Sequence, residues 1–140
     1  MRVMEKTEKQ IERDVFRIVS GSELKTVIRG KVYRNGTRPK NADTEDIVVK
    51  FQTGLDGQEQ SGTVLIHIYV PDRESTTEDG ELVPDIPRIG ELEAIANNVL
   101  ASLESTEYLY EKDGTPKSWP AEGIGQHFIN VILKYRRKTF

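Results

Sequence analysis

The sequence predicts an α+β domain: a mostly antiparallel sheet of four to five strands, with an N-terminal helix and a second helix packed on one face. Two segments have apolar residues at helical spacing, and several others are β-branched runs of strand length. The helices and strands do not alternate regularly, as they would in a parallel α/β sheet. Because 140 residues with 36% hydrophobic side chains suffice for one core, we expect a single domain over residues 1–140.

The first helix is predicted near the N-terminus. Four apolar residues there lie close to one stripe at helical spacing: Met4, Ile11, Val15 and Ile18. Ser20-Gly21-Ser22 is expected to end this helix, since glycine tolerates the backbone geometry of a helix terminus. Residues 24–29 fit either a further helical turn or irregular structure, and Val32-Tyr33 begins the first strand.

A basic segment follows, in a chain whose net charge is −3. It carries five basic residues and no acid: Arg29, Lys31, Arg34, Arg38 and Lys40. Asn35-Gly36 is a strong turn signal, and Pro39 cannot donate a hydrogen bond to a sheet. The segment is therefore predicted to be an edge hairpin whose Arg38-Pro39-Lys40 arm projects outward. On the residues alone, its charges protect an exposed sheet edge from aggregation.

Further strands are predicted at residues 46–51, 63–70, 107–110 and 126–136, and the second helix at residues 91–103. Alternate residues predict one apolar face on the second of these strands (Val64, Ile66, Ile68 and Val70) and one on the last (Ile129, Val131, Leu133 and Tyr135). Gly54, Gly57 and Gly62 are expected to bound the loop between the first two of these strands. A long loop is predicted from residue 71 to residue 90. It overlaps an acidic segment, residues 72–93, which has eight acids and two bases. This uneven charge concerns the partners of the protein, not its fold.

The residues do not assemble an enzyme or a metal site. The chain has no cysteine, so thiol nucleophiles and thiolate metal sites are excluded. Its two histidines, His67 and His127, lack the spacing of a metal-binding motif and are expected to be structural or surface residues. The motif of metal-dependent nucleases needs an acid two residues before Lys50, where Val48 stands. We therefore expect a protein that is not an enzyme and that needs no cofactor or metal.

Neither a membrane nor a nucleic acid is the expected partner. No segment approaches the roughly 18 apolar residues of a membrane span. The N-terminal residues lack the apolar stretch of a signal peptide, so a cytoplasmic protein is expected. The negative net charge argues against nonspecific binding of nucleic acid, which draws its energy from many lysines and arginines.

The order of the elements resembles a known family. A helix precedes a Gly-x-Val-Tyr strand, here Gly30-Lys31-Val32-Tyr33, and a turn with Pro39 follows. Next come a Val-rich strand (Ile47-Val48-Val49), a β-branched strand (residues 62–70), an amphipathic helix (residues 90–103) and a final strand pair. This order resembles the tail-completion and tail-terminator proteins of tailed bacteriophages and their prophages. The resemblance implies a non-enzymatic ring, commonly a hexamer, that joins the tail tube to the head connector, in the virion tail or in the host cytoplasm during assembly.

A ring needs a patch on one subunit that meets a different patch on the next. We expect the basic segment to meet the acidic segment of a neighbouring copy, or an adjacent tail ring. Trp119, in a predicted loop, either anchors a partner or folds back over the core edge. The candidate interface residues are Arg29, Lys31, Arg34, Asn35, Arg38, Lys40, Asp79, Glu81, Asp85 and Trp119. The alternative is a small nucleic-acid-binding module that uses the basic segment and the C-terminal Lys134, Arg136, Arg137 and Lys138.

Overall fold

The computed structural model describes residues 5–75 and 80–139 and confirms the α+β class. Within these residues, the helices are α1 (Glu8–Ser20), α2 (Glu23–Val27) and α3 (Ile86–Ala101). The strands are β1 (Val32–Arg34), β2 (Ile47–Leu55), β3 (Glu59–Pro71), β4 (Arg73–Glu74), β5 (Leu82–Val83), β6 (Leu109–Lys112), β7 (Lys117–Ala121) and β8 (Gln126–Lys138). The β4–β5 pair is a small hairpin of its own, and the other strands form one sheet.

That sheet has six strands rather than the predicted four or five. Its order is β1-β2-β3-β8-β6, and β7 pairs with the half of β8 that β6 leaves free. Only β1 and β2 are parallel among the described pairs, so the sheet is mostly antiparallel as expected.

The predicted edge hairpin is wrong. The Asn35-Gly36 turn is present, with Gly36 at a φ of 85°, but the chain returns through an irregular arm as the parallel strand β2.

Helix α1 begins with a capping box. The Thr7 hydroxyl accepts a hydrogen bond from the Gln10 N–H (3.3 Å), and the Gln10 side chain accepts one from the Thr7 N–H (2.8 Å). The helix ends at Gly21, as predicted. Of its predicted apolar stripe, Ile11 and Val15 are buried and Ile18 is only partly buried, whereas Val19, outside the predicted stripe, is fully buried. The predicted Met4 lies outside the described residues.

Helix α3 starts at Ile86, five residues before its predicted start. The Asp85 side chain accepts a hydrogen bond from the Arg88 N–H (3.3 Å) and so caps the first turn. Pro87 lies in that turn, where its missing N–H costs no helical hydrogen bond. The predicted loop from residue 71 to residue 90 is therefore shorter, and the β4–β5 hairpin occupies part of it.

The predicted loop between Gly54 and Gly62 is also wrong, because both glycines lie in strands. They pair directly with each other, Gly54 on β2 and Gly62 on β3. A Cβ on Gly62 would lie 2.2 Å from the Thr53 carbonyl oxygen and 2.7 Å from the Tyr135 hydroxyl. These glycines therefore provide the space in which the Tyr135 hydroxyl lies, and the turn itself is confined to residues 56–58.

Trp119 lies in strand β7 and not in the predicted loop. Strand β7 is antiparallel to β8 and places Trp119 opposite Phe128. The tryptophan does not fold back over the core edge, since 55% of its surface is exposed. Its indole therefore lies at the surface of the sheet.

All three helices pack on one face of the sheet. On β3, the four predicted core residues are at most 1% exposed: Val64, Ile66, Ile68 and Val70. The predicted face of β8 is buried as well: Ile129, Val131, Leu133 and Tyr135. Together with the buried residues of the helices, they form one hydrophobic cluster. No helix of the described residues covers the opposite face of the sheet.

Gly90 is an exposed residue in the second turn of α3, and a Cβ there would meet no atom within 4 Å. Gly90→Ala is expected to raise the free energy of unfolding by about 0.5–1 kcal/mol, because alanine loses less backbone entropy in a helix. Urea unfolding followed by far-UV circular dichroism measures the change. A lower midpoint for the variant would contradict the expectation.

Candidate interaction surfaces

The open sheet face is the face of the sheet that the helices leave uncovered. Its residues alternate with the core residues along each strand, and the strand register aligns them in rows. Its central part is apolar and aromatic and consists of Leu65, His67, Tyr69, Trp119, Phe128 and Ile132. Contiguous apolar surface of this kind on a small domain is typical of a binding surface.

Aromatic rings pack side by side on the open sheet face. The ring centroid of Phe128 lies 4.6 Å from that of His67 and 5.9 Å from that of Tyr69. The Arg38 guanidinium lies 4.1 Å from the Tyr69 centroid, in cation–π contact. Trp119 lies opposite Phe128 on the neighbouring strand. Because these contacts restrain the rings before any partner arrives, binding to them has a smaller entropic cost.

The pKa of His67 lies below its ordinary value of 6.5. Burial of the imidazole lowers this pKa most, the nearby Lys50 ammonium lowers it further, and the neighbouring Asn130 side chain opposes both. His67 is therefore neutral at pH 7, and the aromatic part of the open sheet face carries no charge from it.

The low pKa of His67 makes the folded protein less stable in mild acid. The unfolded chain binds a proton that the folded protein resists, so the stabilisation is complete above about pH 6.5 and is lost as the pH falls through the folded pKa. Urea midpoints between about pH 8 and about pH 5.5 measure this loss. His67→Gln removes the titrating group, so its urea midpoint should change less than that of the wild type as the pH falls below about 6.5. If the urea midpoints of the wild type and of His67→Gln depended on pH in the same way, the lowered pKa of His67 would be contradicted.

Two exposed lysines flank the apolar part of the open sheet face. Lys50 lies on β2, and Lys117 lies on β7 two residues before Trp119. Neither lysine forms an ion pair within the part of the chain that the structure describes. Arg136, farther along the face, is compensated by Glu59 at 3.0 Å. The face is thus apolar at its centre, with uncompensated positive charge at its rim.

The basic segment lies beside this face, and two of its arginines bind the protein's own acids. Arg34 Nε donates to Glu12 of α1 (3.1 Å), and Arg38 Nε donates to Asp46 (3.0 Å). Only 11% of the Arg38 side chain is exposed, so the prediction that it projects outward is wrong. The other candidate residues of the segment are exposed: Arg29, Lys31, Asn35 and Lys40.

Glu12 also closes part of the sheet edge. Strand β1 ends at Arg34 and leaves the second half of β2 without a neighbour on that side. Glu12 Oε2 accepts a hydrogen bond from the Phe51 N–H (3.3 Å) at this position. The side chain is only 2% exposed. Its carboxylate therefore replaces the acceptor that another strand would provide.

A buried ion pair ties the arm after β1 to helix α3. Arg88 Nε and Nη2 donate to the two carboxylate oxygens of Glu45 at 2.7 and 2.8 Å, in bidentate geometry. Arg88 also donates to the Val27 carbonyl (2.6 Å), and Glu45 accepts from the Arg29 N–H (3.1 Å). Burial raises the pKa of Glu45, but the Arg88 and Arg29 hydrogen bonds outweigh it, so the pKa lies below its ordinary value.

A second exposed apolar surface, the β4–β5 corner, is defined by three residues: Leu82, Ile86 and Ile124. The hairpin is tied to the turn that contains Ile124, since the Asp72 N–H donates to the Gly125 carbonyl (3.0 Å). Three exposed acids lie on the hairpin and the turn, Glu74, Glu81 and Glu122, together with one exposed base, Arg73. Of the predicted acidic interface residues, Glu81 lies here, Asp85 caps α3, and Asp79 lies outside the described residues.

Other charged and polar side chains that could have formed a binding or catalytic site are instead paired with each other. His127 Nδ1 lies 2.7 Å from Asp72 Oδ1. In a surface cavity beside Tyr108, Lys6 and Arg137 bind Glu107 at 2.6 and 3.1 Å. Among the described residues, no group of three or more histidine and acidic side chains is arranged to hold a metal ion. No helix in the described ranges has the length and apolar character needed to cross a membrane.

Comparison with known proteins does not assign the chain to a family. No protein-family model matches it. No curated protein matches it either. Seventeen chains of solved structures do match. One of them superimposes with a TM-score of 0.44 at 13% sequence identity, over 93% of this chain and 92% of the other.

Proposed function

We propose that the protein is a non-enzymatic structural subunit of a phage or prophage tail. In this proposal, copies of the chain form a ring, commonly a hexamer in the family that the chain resembles, which completes the tail tube and joins it to the head connector. The observation that carries the proposal is the open sheet face.

The composition of the open sheet face is that of a protein interface. Tryptophan, tyrosine and phenylalanine are enriched in the buried centres of interfaces, and charged groups lie at their rims. Here Tyr69 and Phe128 lie on the central strands of the face, Trp119 and Lys117 lie on its edge strand β7, and Lys50 lies on β2. A protein partner that covers this face would bury apolar surface that the helices leave in water.

A ring is supported by the presence of two different exposed apolar surfaces on one chain. Closed rings use heterologous contacts, in which one patch binds a different patch on the next subunit. The open sheet face and the β4–β5 corner differ in shape and in charge, and so meet this requirement. The order of elements that resembles the tail-completion and tail-terminator proteins supports the same function.

The alternative, a nucleic-acid-binding module, loses part of its support in the structure. It depends on the basic segment, but Arg34 and Arg38 are bound to Glu12 and Asp46. At the C-terminus, Arg136 is bound to Glu59. Phosphate contacts need cations that are free to replace counterions, so these pairs reduce the contribution that both segments can make.

Size-exclusion chromatography with light scattering tests the proposed function. We expect a single closed oligomer at high protein concentration, and rings in negatively stained electron micrographs. A monomer at every concentration and ionic strength would contradict the ring. An electrophoretic shift of short DNA by the monomeric protein would favour the alternative.

A further inference from the structure

We infer that the open sheet face of one copy of this chain binds the β4–β5 corner of the next copy. The inference rests on the proposed function, because it names the two surfaces through which the ring would form. It replaces the expectation that the basic segment provides the positive side of the contact.

The receiving surface is the aromatic end of the open sheet face. Trp119 is 55% exposed and lies opposite Phe128, whose ring packs 4.6 Å from His67. The rings of Phe128, His67 and Tyr69 pack against each other on the central strands, and Trp119 lies beside them on the edge strand β7. Interfaces concentrate binding energy in anchored aromatic residues of this kind.

The inserting surface is the β4–β5 corner. Leu82 is 56% exposed, Ile86 is 69% exposed and Ile124 is 45% exposed. Leu82 and Ile124 protrude from a hairpin and a turn that are bonded to each other, and Ile86 begins helix α3 four residues after Leu82. Packing these apolar side chains against an apolar surface removes both from water, which is energetically favourable.

Charge selects this pairing over others. The receiving surface is flanked by Lys50 and Lys117, which lack ion pairs within the described ranges. The corner carries three exposed glutamates, Glu74, Glu81 and Glu122, against one exposed base, Arg73, so its charge is negative. Two open sheet faces packed together would bring the lysine rims against each other, and two corners would bring the glutamates together. The corner-to-face contact joins opposite charges, which fixes register and excludes the other two pairings.

Two charge-reversed proteins test the inference by mixing. The face-reversed protein carries Lys50→Glu and Lys117→Glu, and the corner-reversed protein carries Glu81→Lys and Glu122→Lys. In the first, face and corner are both negative; in the second, both are positive. Each alone is expected to assemble at least about tenfold less readily than the wild type. An equimolar mixture should recover assembly, because each negative face meets a positive corner and each positive face a negative one.

Trp119→Ser is a second, uncharged test, and is expected to weaken assembly at least about tenfold. The matched control is Lys31→Glu with Lys40→Glu, which makes the same charge change in the basic segment. Circular dichroism and urea midpoints verify that every variant folds. We expect the control to assemble like the wild type.

The outcomes separate the inference from the proposed function. A wild-type ring that assembles unchanged with a reversed face, a reversed corner or Trp119→Ser would overturn the inference and leave the ring. Loss of assembly only in the control, Lys31→Glu with Lys40→Glu, would assign the contact to the basic segment. That result would also overturn the inference. A wild type that is always monomeric would overturn both. A monomer that binds single-stranded DNA through Trp119 would overturn both in favour of nucleic acid.

Discussion

Arg88→Met is expected to lower the free energy of unfolding by about 3 kcal/mol. The side chain of Glu45 is 2% exposed, and Arg88 donates two hydrogen bonds to its carboxylate. Without Arg88, a buried carboxylate keeps the Arg29 N–H but loses its main counter-charge. The Val27 carbonyl also loses its partner. Methionine conserves much of the apolar volume, so the measured change reports the lost charge pair rather than a cavity.

Arg136→Met is the matched control for this prediction. Arg136 also binds a carboxylate with both Nε and Nη2, at 3.0 and 3.1 Å from Glu59, but the pair lies in solvent. Exposed ion pairs contribute little to stability because water and salt screen them. The control should therefore have an unfolding midpoint close to that of the wild type. If Arg88→Met and Arg136→Met lowered the unfolding free energy equally, burial would not determine how much an ion pair contributes to stability.

Gly62→Ala is expected to destabilise the protein by about 3 kcal/mol, near the upper end for overpacking in a core. The new Cβ would lie 2.2 Å from the Thr53 carbonyl oxygen and 2.7 Å from the Gly54 Cα. Both are backbone atoms of the paired strand, so no side-chain rotation relieves the contact. Strands β2 and β3 would have to separate locally, which would break ladder hydrogen bonds and expose Tyr135.

Gly21→Ala is the control for Gly62→Ala. A Cβ on Gly21 would lie 3.6 Å from the Arg17 carbonyl oxygen, an ordinary contact, and the φ of Gly21 is −91°. Alanine adopts this conformation without strain, so the unfolding midpoint should change little. If Gly62→Ala were as stable as Gly21→Ala, strands β2 and β3 would be able to separate locally at little cost, contrary to the prediction.

Strong local periodicity made several elements predictable. The alternation of Val64, Ile66, Ile68 and Val70 identified both the strand and its buried face, and the stripe of α1 identified that helix and its end at Gly21. In these segments every residue agrees with one structure, so the tertiary fold has nothing to override.

Elements that depend on distant partners could not be predicted. Gly54 and Gly62 were interpreted as loop residues because glycine weakens isolated strands, whereas Tyr135, far along the chain, requires glycine at both positions. Strand β1 was placed in a hairpin because Asn35-Gly36 favours one, but its ladder is with β2 in parallel. Trp119 was placed in a loop because two prolines flank its segment, although β8 provides a strand partner.

The candidate site was predicted in part. Clusters of charge were visible in the sequence, but their partners were not. Arg38 bonds to Asp46, eight residues away, and to Gln126, 88 residues away. The ion pair of Glu45 and Arg88 spans 43 residues, and its only local sign is a pair of acids directly before an apolar strand. The open sheet face has no sign in the sequence, because the alignment of the four strands that carry its residues exists only in the folded protein.

The carboxylate of Glu12 has a consequence for how copies of this protein can join. With its oxygen on the Phe51 N–H, the bare half of β2 is a poor template for a strand from another molecule. Growth by strand addition leads to fibres that neither dilution nor salt readily separates. Where this carboxylate occupies the edge, association through side chains is favoured over strand addition. Such an assembly can be built, corrected and taken apart as its concentration and the ionic strength change.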